Sequence, residues 1–219
     1  MNRQVSLKYF DKHFDNHACF VVLFTCLALF MLTLPTLAAP DQIADQAHLE
    51  ANIRKADEIL AAHPQNADAF AFRGESYKRL GKLDEALSDF SKAIQLNKKK
   101  DLYHYERATI YALKRSYPDA INEMNEAIKL LPGNASYFSY KGLLCSVSGR
   151  ENEALQCLGL AIKIHPNERD YCLRATVYIA LNKMIEAKAD LTQALKFDPN
   201  SAEAAKVKKD LESKAKVGP

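Results

Sequence analysis

The chain has 219 residues, of which 48% are hydrophobic and 26% are charged, and its 30 basic and 27 acidic residues give a net charge of +3. This composition excludes a mainly disordered chain and a polytopic membrane protein, and the length allows a sizeable core. The charge is too balanced for nucleic acid to be the default partner, and with only 7 glycines and 5 cysteines the chain is neither collagen-like nor disulfide-dense.

The first 40 residues have the pattern of a targeting segment. A weakly basic stretch over 1–17 precedes an uncharged, mostly apolar run over 18–34, and small residues follow. This order predicts a secretory signal peptide over 1–38, cleaved after Ala38. The alternative is an uncleaved membrane anchor, because 18–34 would span about 25 Å as a helix. Both interpretations place the rest of the chain outside the cytosol.

From Ala67 onward one motif recurs four times, with spacings of 34, 34 and 33 residues. Each copy has a small residue, then an aromatic or mid-sized apolar residue, then two alanines. These positions are, in turn, Gly74, Ala108, Gly142 and Ala175; Tyr77, Tyr111, Cys145 and Tyr178; Ala86, Ala120, Ala154 and Ala187; and Ala93, Ala127, Ala161 and Ala194. Helix-breaking residues recur between the two halves of each copy, at Gly81, Pro118, Gly149 and Asn182. A fixed period of this size predicts stacked helix pairs, because each pair has an apolar face that only a neighbour can cover.

The motif resembles the tetratricopeptide repeat, a 34-residue unit of two antiparallel helices. The resemblance covers roughly residues 42–201 and implies an all-α, right-handed superhelical solenoid with a concave inner surface. In the family's register the repeats run over 67–100, 101–134, 135–167 and 168–201. The segment 42–64 is predicted to be an N-terminal half-repeat that caps the solenoid. The segment 202–219 is predicted to be a polar capping helix and tail.

A charge pattern accompanies the repeat. In the first, second and fourth repeats an arginine precedes an acidic residue by sixteen positions. The pairs are Arg73 and Asp89, Arg107 and Glu123, and Arg174 and Asp190; the third repeat has Lys141 and Cys157 instead. We interpret the three pairs as ion pairs that bridge the two helices of a repeat, the alternative being coincidental surface charge.

The sequence has no pattern typical of catalysis. It contains no Gly-rich phosphate loop, nucleophile elbow or paired-carboxylate signature, and no histidine stands at a recognised metal-ligand spacing. We therefore expect a non-enzyme without catalytic residues, cofactor or metal. Cys145 is predicted to be a small core residue, and a disulfide between Cys157 and Cys172 on successive helices is left open.

The family resemblance also implies a binding groove, because its ligands lie along the first helices of the repeats. The corresponding residues here are Leu102, Tyr105, Thr109, Ser139, Leu143, Arg169, Thr176 and Ile179. The Lys/Asn/Arg clamp with which some members grip a C-terminal carboxylate is missing. An extended or helical peptide with apolar anchors at Tyr105, Leu143 and Ile179 is expected, unless some of these residues pack between repeats.

These observations predict an exported, non-catalytic protein–protein interaction scaffold in the periplasm, cell envelope or secretory space. The alternative is an accessory or regulatory subunit of a secreted or membrane-associated enzyme or assembly complex. The expected partner is a protein or peptide rather than nucleic acid, and contact with a membrane requires an uncleaved N-terminal segment.

Overall fold

The computed structural model describes residues 40–217, and this part of the chain consists of ten α-helices without a strand. The helices are α1 Pro40–Ala62, α2 Ala67–Arg79, α3 Leu83–Leu96, α4 Asp101–Leu113, α5 Tyr117–Leu130, α6 Ala135–Val147, α7 Glu151–Ile164, α8 Glu168–Ala180, α9 Met184–Phe197 and α10 Ala202–Val217. The chain divides into two compact units, Met1–Asp45 and Gln46–Pro219, and the packing below belongs to the second. The predicted signal segment 1–38, with its apolar run, lies outside the described residues.

Helices α2 to α9 form four pairs, and each pair packs against the next one in the chain. Turns of three residues join the two helices of each pair. Turns of four residues join the first pair to the second and the second to the third, whereas the turn between α7 and α8 has three residues. The final helix α10 packs against both α8 and α9, so it covers the end of the last pair. The predicted all-α solenoid of helix pairs is confirmed.

The two helices of a pair approach closely because small residues occupy the contact. The alanines that recur in each repeat are fully buried, and larger side chains such as Phe90, Met124 and Leu158 fill the space beside them. At Gly142 the approach is closest, because a Cβ atom there would lie only 2.7 Å from Cγ of Leu158. Small residues at these positions therefore set the distance between the helices of each pair.

Each turn within a pair contains one residue in the left-handed region. These residues are Gly81, Arg115, Gly149 and Asn182, with φ between 59° and 74°. The sequence-based choice of Pro118 for the second turn is wrong. Pro118 lies in the first turn of α5, where proline is well tolerated, and Arg115 adopts the left-handed conformation instead.

Replacing Arg115 by glycine is expected to stabilise the protein by about 1 kcal/mol, because glycine adopts positive φ without steric cost. Urea unfolding followed by circular dichroism measures the change. Asn182→Gly is the matched control and is expected to give a smaller gain, since asparagine tolerates this conformation better. Equal or lower stability of Arg115→Gly would contradict the explanation.

The ion pairs predicted between the helices of a repeat are confirmed. Nε and Nη2 of Arg73 donate to the two carboxylate oxygens of Asp89 at 2.8 and 2.7 Å. Arg174 binds Asp190 in the same bidentate way, with both distances 2.7 Å. Both aspartates are buried, and each would be an uncompensated charge without its arginine.

The second pair has a larger version of this bridge, and in the third a lysine and a glutamate take its place. Glu123 accepts from Arg107 Nη2 at 2.6 Å and contacts His104 Nδ1 at 2.9 Å. Burial alone would raise the pKa of Glu123, but the hydrogen bonds from His104 and Arg107 outweigh it and hold the pKa below its ordinary value of 4.5. In the third pair, Nζ of Lys141 contacts Glu153 at 3.0 Å.

A double-mutant cycle with Arg174→Ala and Asp190→Ala should give a coupling of about 1–2 kcal/mol in the free energy of unfolding. The reason is that the pair is bidentate and mostly shielded from water. The same cycle on the exposed pair Lys129 and Glu126 is the control, with an expected coupling of about 0–0.5 kcal/mol. Additive effects at Arg174 and Asp190 would show that the bridge is not stabilising.

The three cysteines of the described chain are buried and free. The expected core position of Cys145 is confirmed, since its side chain is fully buried. The disulfide considered between Cys157 and Cys172 is absent. Sγ of Cys172 instead donates to Oε1 of Glu168 at 3.4 Å.

Candidate functional site: a groove along the first helices

Four of the eight predicted groove residues lie together in one pocket. Tyr105 of α4, Ser139 and Leu143 of α6, and Arg169 of α8 line a cavity of about 320 Å³. The remaining lining residues are Ser136, Tyr140 and Leu173. The pocket therefore extends across the first helices of the second, third and fourth pairs.

The other four predicted residues lie outside this pocket. Leu102 is 45% exposed in the first turn of α4, and the hydroxyls of Thr109 and Thr176 donate to carbonyl oxygens of their own helices. Ile179 is only 8% exposed, because it packs in the core formed with residues of α10 such as Val207. Ile179 is thus a core residue, which corrects its assignment as a surface anchor.

An aromatic cluster forms one wall of the pocket. The ring of Tyr105 stacks on Tyr137 with centroids 5.4 Å apart, and it meets Tyr140 at 5.5 Å in a tilted arrangement. The buried Tyr137 is itself fixed, because its hydroxyl donates to Asp101 of the preceding repeat at 2.6 Å. Tyr105 is therefore held in place before any ligand arrives.

Tyr140 and Tyr137 were not among the predicted site residues. Tyr140 stands one residue after Ser139, outside the positions that the family resemblance marks as the groove. The only sequence signal was the five tyrosines within the first helices of the second and third repeats. Their stacking depends on how neighbouring pairs pack, which the spacing along one chain does not express.

The pocket combines neutral hydrogen-bonding groups with one charge. Burial, helped by the neighbouring Tyr105 and Glu106, raises the pKa of Tyr140 to about 12, so its hydroxyl stays protonated at neutral pH and can donate. Arg169 is the one charged side chain lining the pocket, and within the described residues it forms no ion pair. The pocket therefore offers apolar, hydroxyl and cationic contacts side by side.

Charges near the first pair neutralise one another. Nζ of Lys78 lies 2.6 Å from Glu75 and 2.5 Å from Glu106 of the next repeat. Burial alone would lower the pKa of Lys78, but its hydrogen bonds to the two glutamates raise it, so the amine stays charged. This end of the groove is a closed ionic network rather than a free charged site.

A second recess adjoins the pocket at Ser136 and Ser139, which line both. Its volume is about 660 Å³, and it extends to the turns before α6 and α8. Leu131 in the first of these turns and Ile164 at the end of α7 expose apolar surface there. The two cavities together provide a recess from the helices of the groove to the turns between repeats.

The described residues contain no cluster of three or more His, Cys, Asp or Glu side chains able to hold a metal ion. No helix in this part of the chain is long and apolar enough to cross a membrane.

Comparison with family models assigns the repeats. Models described as tetratricopeptide repeat match residues 67–100 and 171–201. These two segments, the first repeat and most of the fourth, are thus similar to the tetratricopeptide repeat. The all-α solenoid is the fold of that family, and such solenoids serve as protein–protein interaction scaffolds that are generally non-catalytic.

Curated relatives share the repeats over part of their length. Tetratricopeptide repeat protein 13 of Homo sapiens is 30% identical over 105 residues, 48% of this chain and 12% of that protein. Tetratricopeptide repeat protein 16 of Macaca fascicularis is 28% identical over 175 residues, 74% of this chain and 20% of that protein. The chain thus spans a fifth or less of these relatives.

Solved structures support the same fold. A crystal structure of MamA superposes with a TM-score of 0.67 at 20% identity, covering 77% of this chain and 99% of that one. YrrB, described as a TPR protein with an unusual peptide-binding site, superposes with a TM-score of 0.66 at 19% identity, covering 77% and 88%.

Proposed function

We propose that the chain is an exported, non-catalytic scaffold that binds a peptide or partner segment in the groove. The observation that carries the proposal is the preformed pocket in which Tyr105, Leu143 and Arg169 converge from three successive first helices. YrrB, which shares the fold, is itself described as having a peptide-binding site.

The pocket suits a peptide with an apolar anchor. An apolar side chain of the ligand would pack against the rings of Tyr105 and Tyr140 on one side and against the side chain of Leu143 on the other. The tyrosine hydroxyls can bond the ligand's backbone, and Arg169 is available to an acidic group beside the anchor. Rigid aromatic walls favour affinity, because little side-chain entropy is lost on binding.

Tyr105→Ala and Leu143→Ala should each weaken peptide binding by about 5- to 30-fold, the loss typical of a central apolar contact. The probes are peptides selected from a displayed random library on the folded chain, with affinities measured by calorimetry. Ile185→Ala is the matched control, since Ile185 is 84% exposed on α9, outside the pocket.

Unchanged affinity in both groove variants, with helicity retained, would refute this site. Loss of partner binding in Ile185→Ala alone would favour the alternative of an accessory subunit in an enzyme or assembly complex. That result would place the contact on α9, the second helix of the fourth pair, rather than in the groove.

Export is proposed on the N-terminal sequence pattern. Expression of residues 1–219 with a C-terminal tag in the native host, followed by N-terminal mapping, is expected to give Ala39 as the first residue outside the cytosol. An intact N-terminus in the membrane fraction would support an anchor at 18–34. Full-length protein that remains in the cytosol would contradict export.

A further inference from the structure

Two of the bridging arginines also bind the helix that precedes their own. Nη1 of Arg73 donates to the carboxylate of Asp57 in α1 at 2.6 Å, and Nη1 of Arg107 donates to the hydroxyl of Ser91 in α3 at 3.1 Å. Both acceptors stand at the same place of the repeat pattern, sixteen residues before their arginine. A side chain of the preceding helix thus completes the hydrogen bonding of these two guanidinium groups.

The third such arginine, Arg174, has a gap where this acceptor would stand. The third repeat is one residue shorter, so the position that matches Ser91 is Gly159 of α7. A Cβ atom on Gly159 would lie 3.8 Å from Nη1 of Arg174 and would meet nothing else of another helix within 4 Å. Among the described residues, no group accepts a hydrogen bond from this nitrogen.

The open edge of the Arg174 guanidinium is held in place and is accessible. Its other two nitrogens bind Asp190, and its Cζ lies 5.7 Å from the ring centre of Tyr171, so the orientation of the group is fixed. The Arg174 side chain is 21% exposed, Nη1 is not sealed in the core, and Gly159 is half-buried. A group from outside the chain can therefore reach this nitrogen.

The charge around the gap is positive. Lys163 follows Gly159 by one helical turn, is exposed, and forms no ion pair within the part of the chain that the structure describes. Helical side chains lean toward the N-terminus, so Lys163 can extend back over Gly159. Because Asp190 already neutralises Arg174, the charge of Lys163 is in excess here. The gap therefore suits an anion.

We propose that this gap, lined by Gly159, Lys163 and Arg174 (the α7–α8 notch), binds an acidic side chain of a protein partner. The partner's carboxylate would accept a hydrogen bond from Nη1 of Arg174, in the place that Asp57 holds on Arg73. The chain's own contact between α1 and α2 thus provides the precedent for a carboxylate at this edge of the guanidinium.

The α7–α8 notch is separate from the groove. Arg174 stands two residues before Thr176, one of the predicted groove positions, and residues two apart on a helix do not face the same side. None of the three notch residues lines the groove pocket or the recess beside it. The inference therefore does not depend on peptide binding in the groove.

The first test fills the α7–α8 notch from within the chain. Gly159→Asp should unfold at a Tm about 2–4 °C above that of Gly159→Asn, because only the aspartate brings a charge to Arg174 and Lys163. The asparagine variant is the matched control, since it has nearly the same shape and a similar helix propensity. Equal Tm values would show that a carboxylate does not fit the notch and would overturn the proposal.

The second test adds the carboxylate from outside. The probes are the peptides acetyl-Ala-Asp-Ala-amide and acetyl-Ala-Asn-Ala-amide, titrated into the folded full chain at low salt. NMR follows the backbone amide of Gly159 and the Nε–H of Arg174. Saturable shifts are expected with the aspartate peptide alone, with a Kd of about 1–10 mM for this single charged contact. No saturable shift, or equal shifts with both peptides, would overturn the proposal.

Three variants locate the binding in that titration. Gly159→Asp should abolish it, because its own carboxylate occupies the α7–α8 notch. Lys163→Ala should weaken it about 2- to 5-fold, since one of two cations is lost. Lys129→Ala is the matched control and should leave it unchanged, because Lys129 is the exposed lysine at the same position of the second repeat. Binding that persists in Gly159→Asp would place the peptide elsewhere and contradict the proposal.

Discussion

The packing of the whole repeat array follows from the close contact between the two helices of each pair. Glycine and alanine at the contact let the backbones approach, and one larger side chain per pair, such as Phe90 or Leu158, fills the space beside them. A pair built this way has a further apolar face that it cannot cover alone. Stacking of the next pair covers that face, and α10 covers the last one.

The buried carboxylates determine how the two helices of a pair are aligned with each other. An aspartate in the core is tolerated only with its partner, so the bidentate bonds of Arg73 and Arg174 hold one register of the two helices. The third pair differs, because cysteines occupy positions 145 and 157 of its core and Lys141 pairs with Glu153. The same fold thus accepts either a carboxylate paired with arginine or a cysteine at this position of the second helix.

The groove is a consequence of the same packing. First helices line up side by side, so residues one repeat apart, such as Tyr105 and Ser139, come to lie in one pocket. Contacts between repeats also decide which polar groups stay available. Lys78 is ion-paired with two glutamates, whereas Arg169 lines the pocket and forms no ion pair within the described residues. The pocket therefore lies along the first helices of the second, third and fourth pairs.

The all-α repeat fold and the three ion pairs are predictable from the sequence. A period of 34 residues with recurring small residues permits few other structures, and residues sixteen apart across a short turn, such as Arg174 and Asp190, must face each other. The burial of Ile179 and the left-handed turn position of Arg115 are seen only in the three-dimensional structure. They depend on how α10 covers α8 and on the geometry of the turn. A repeat pattern read along the chain contains none of these contacts between elements.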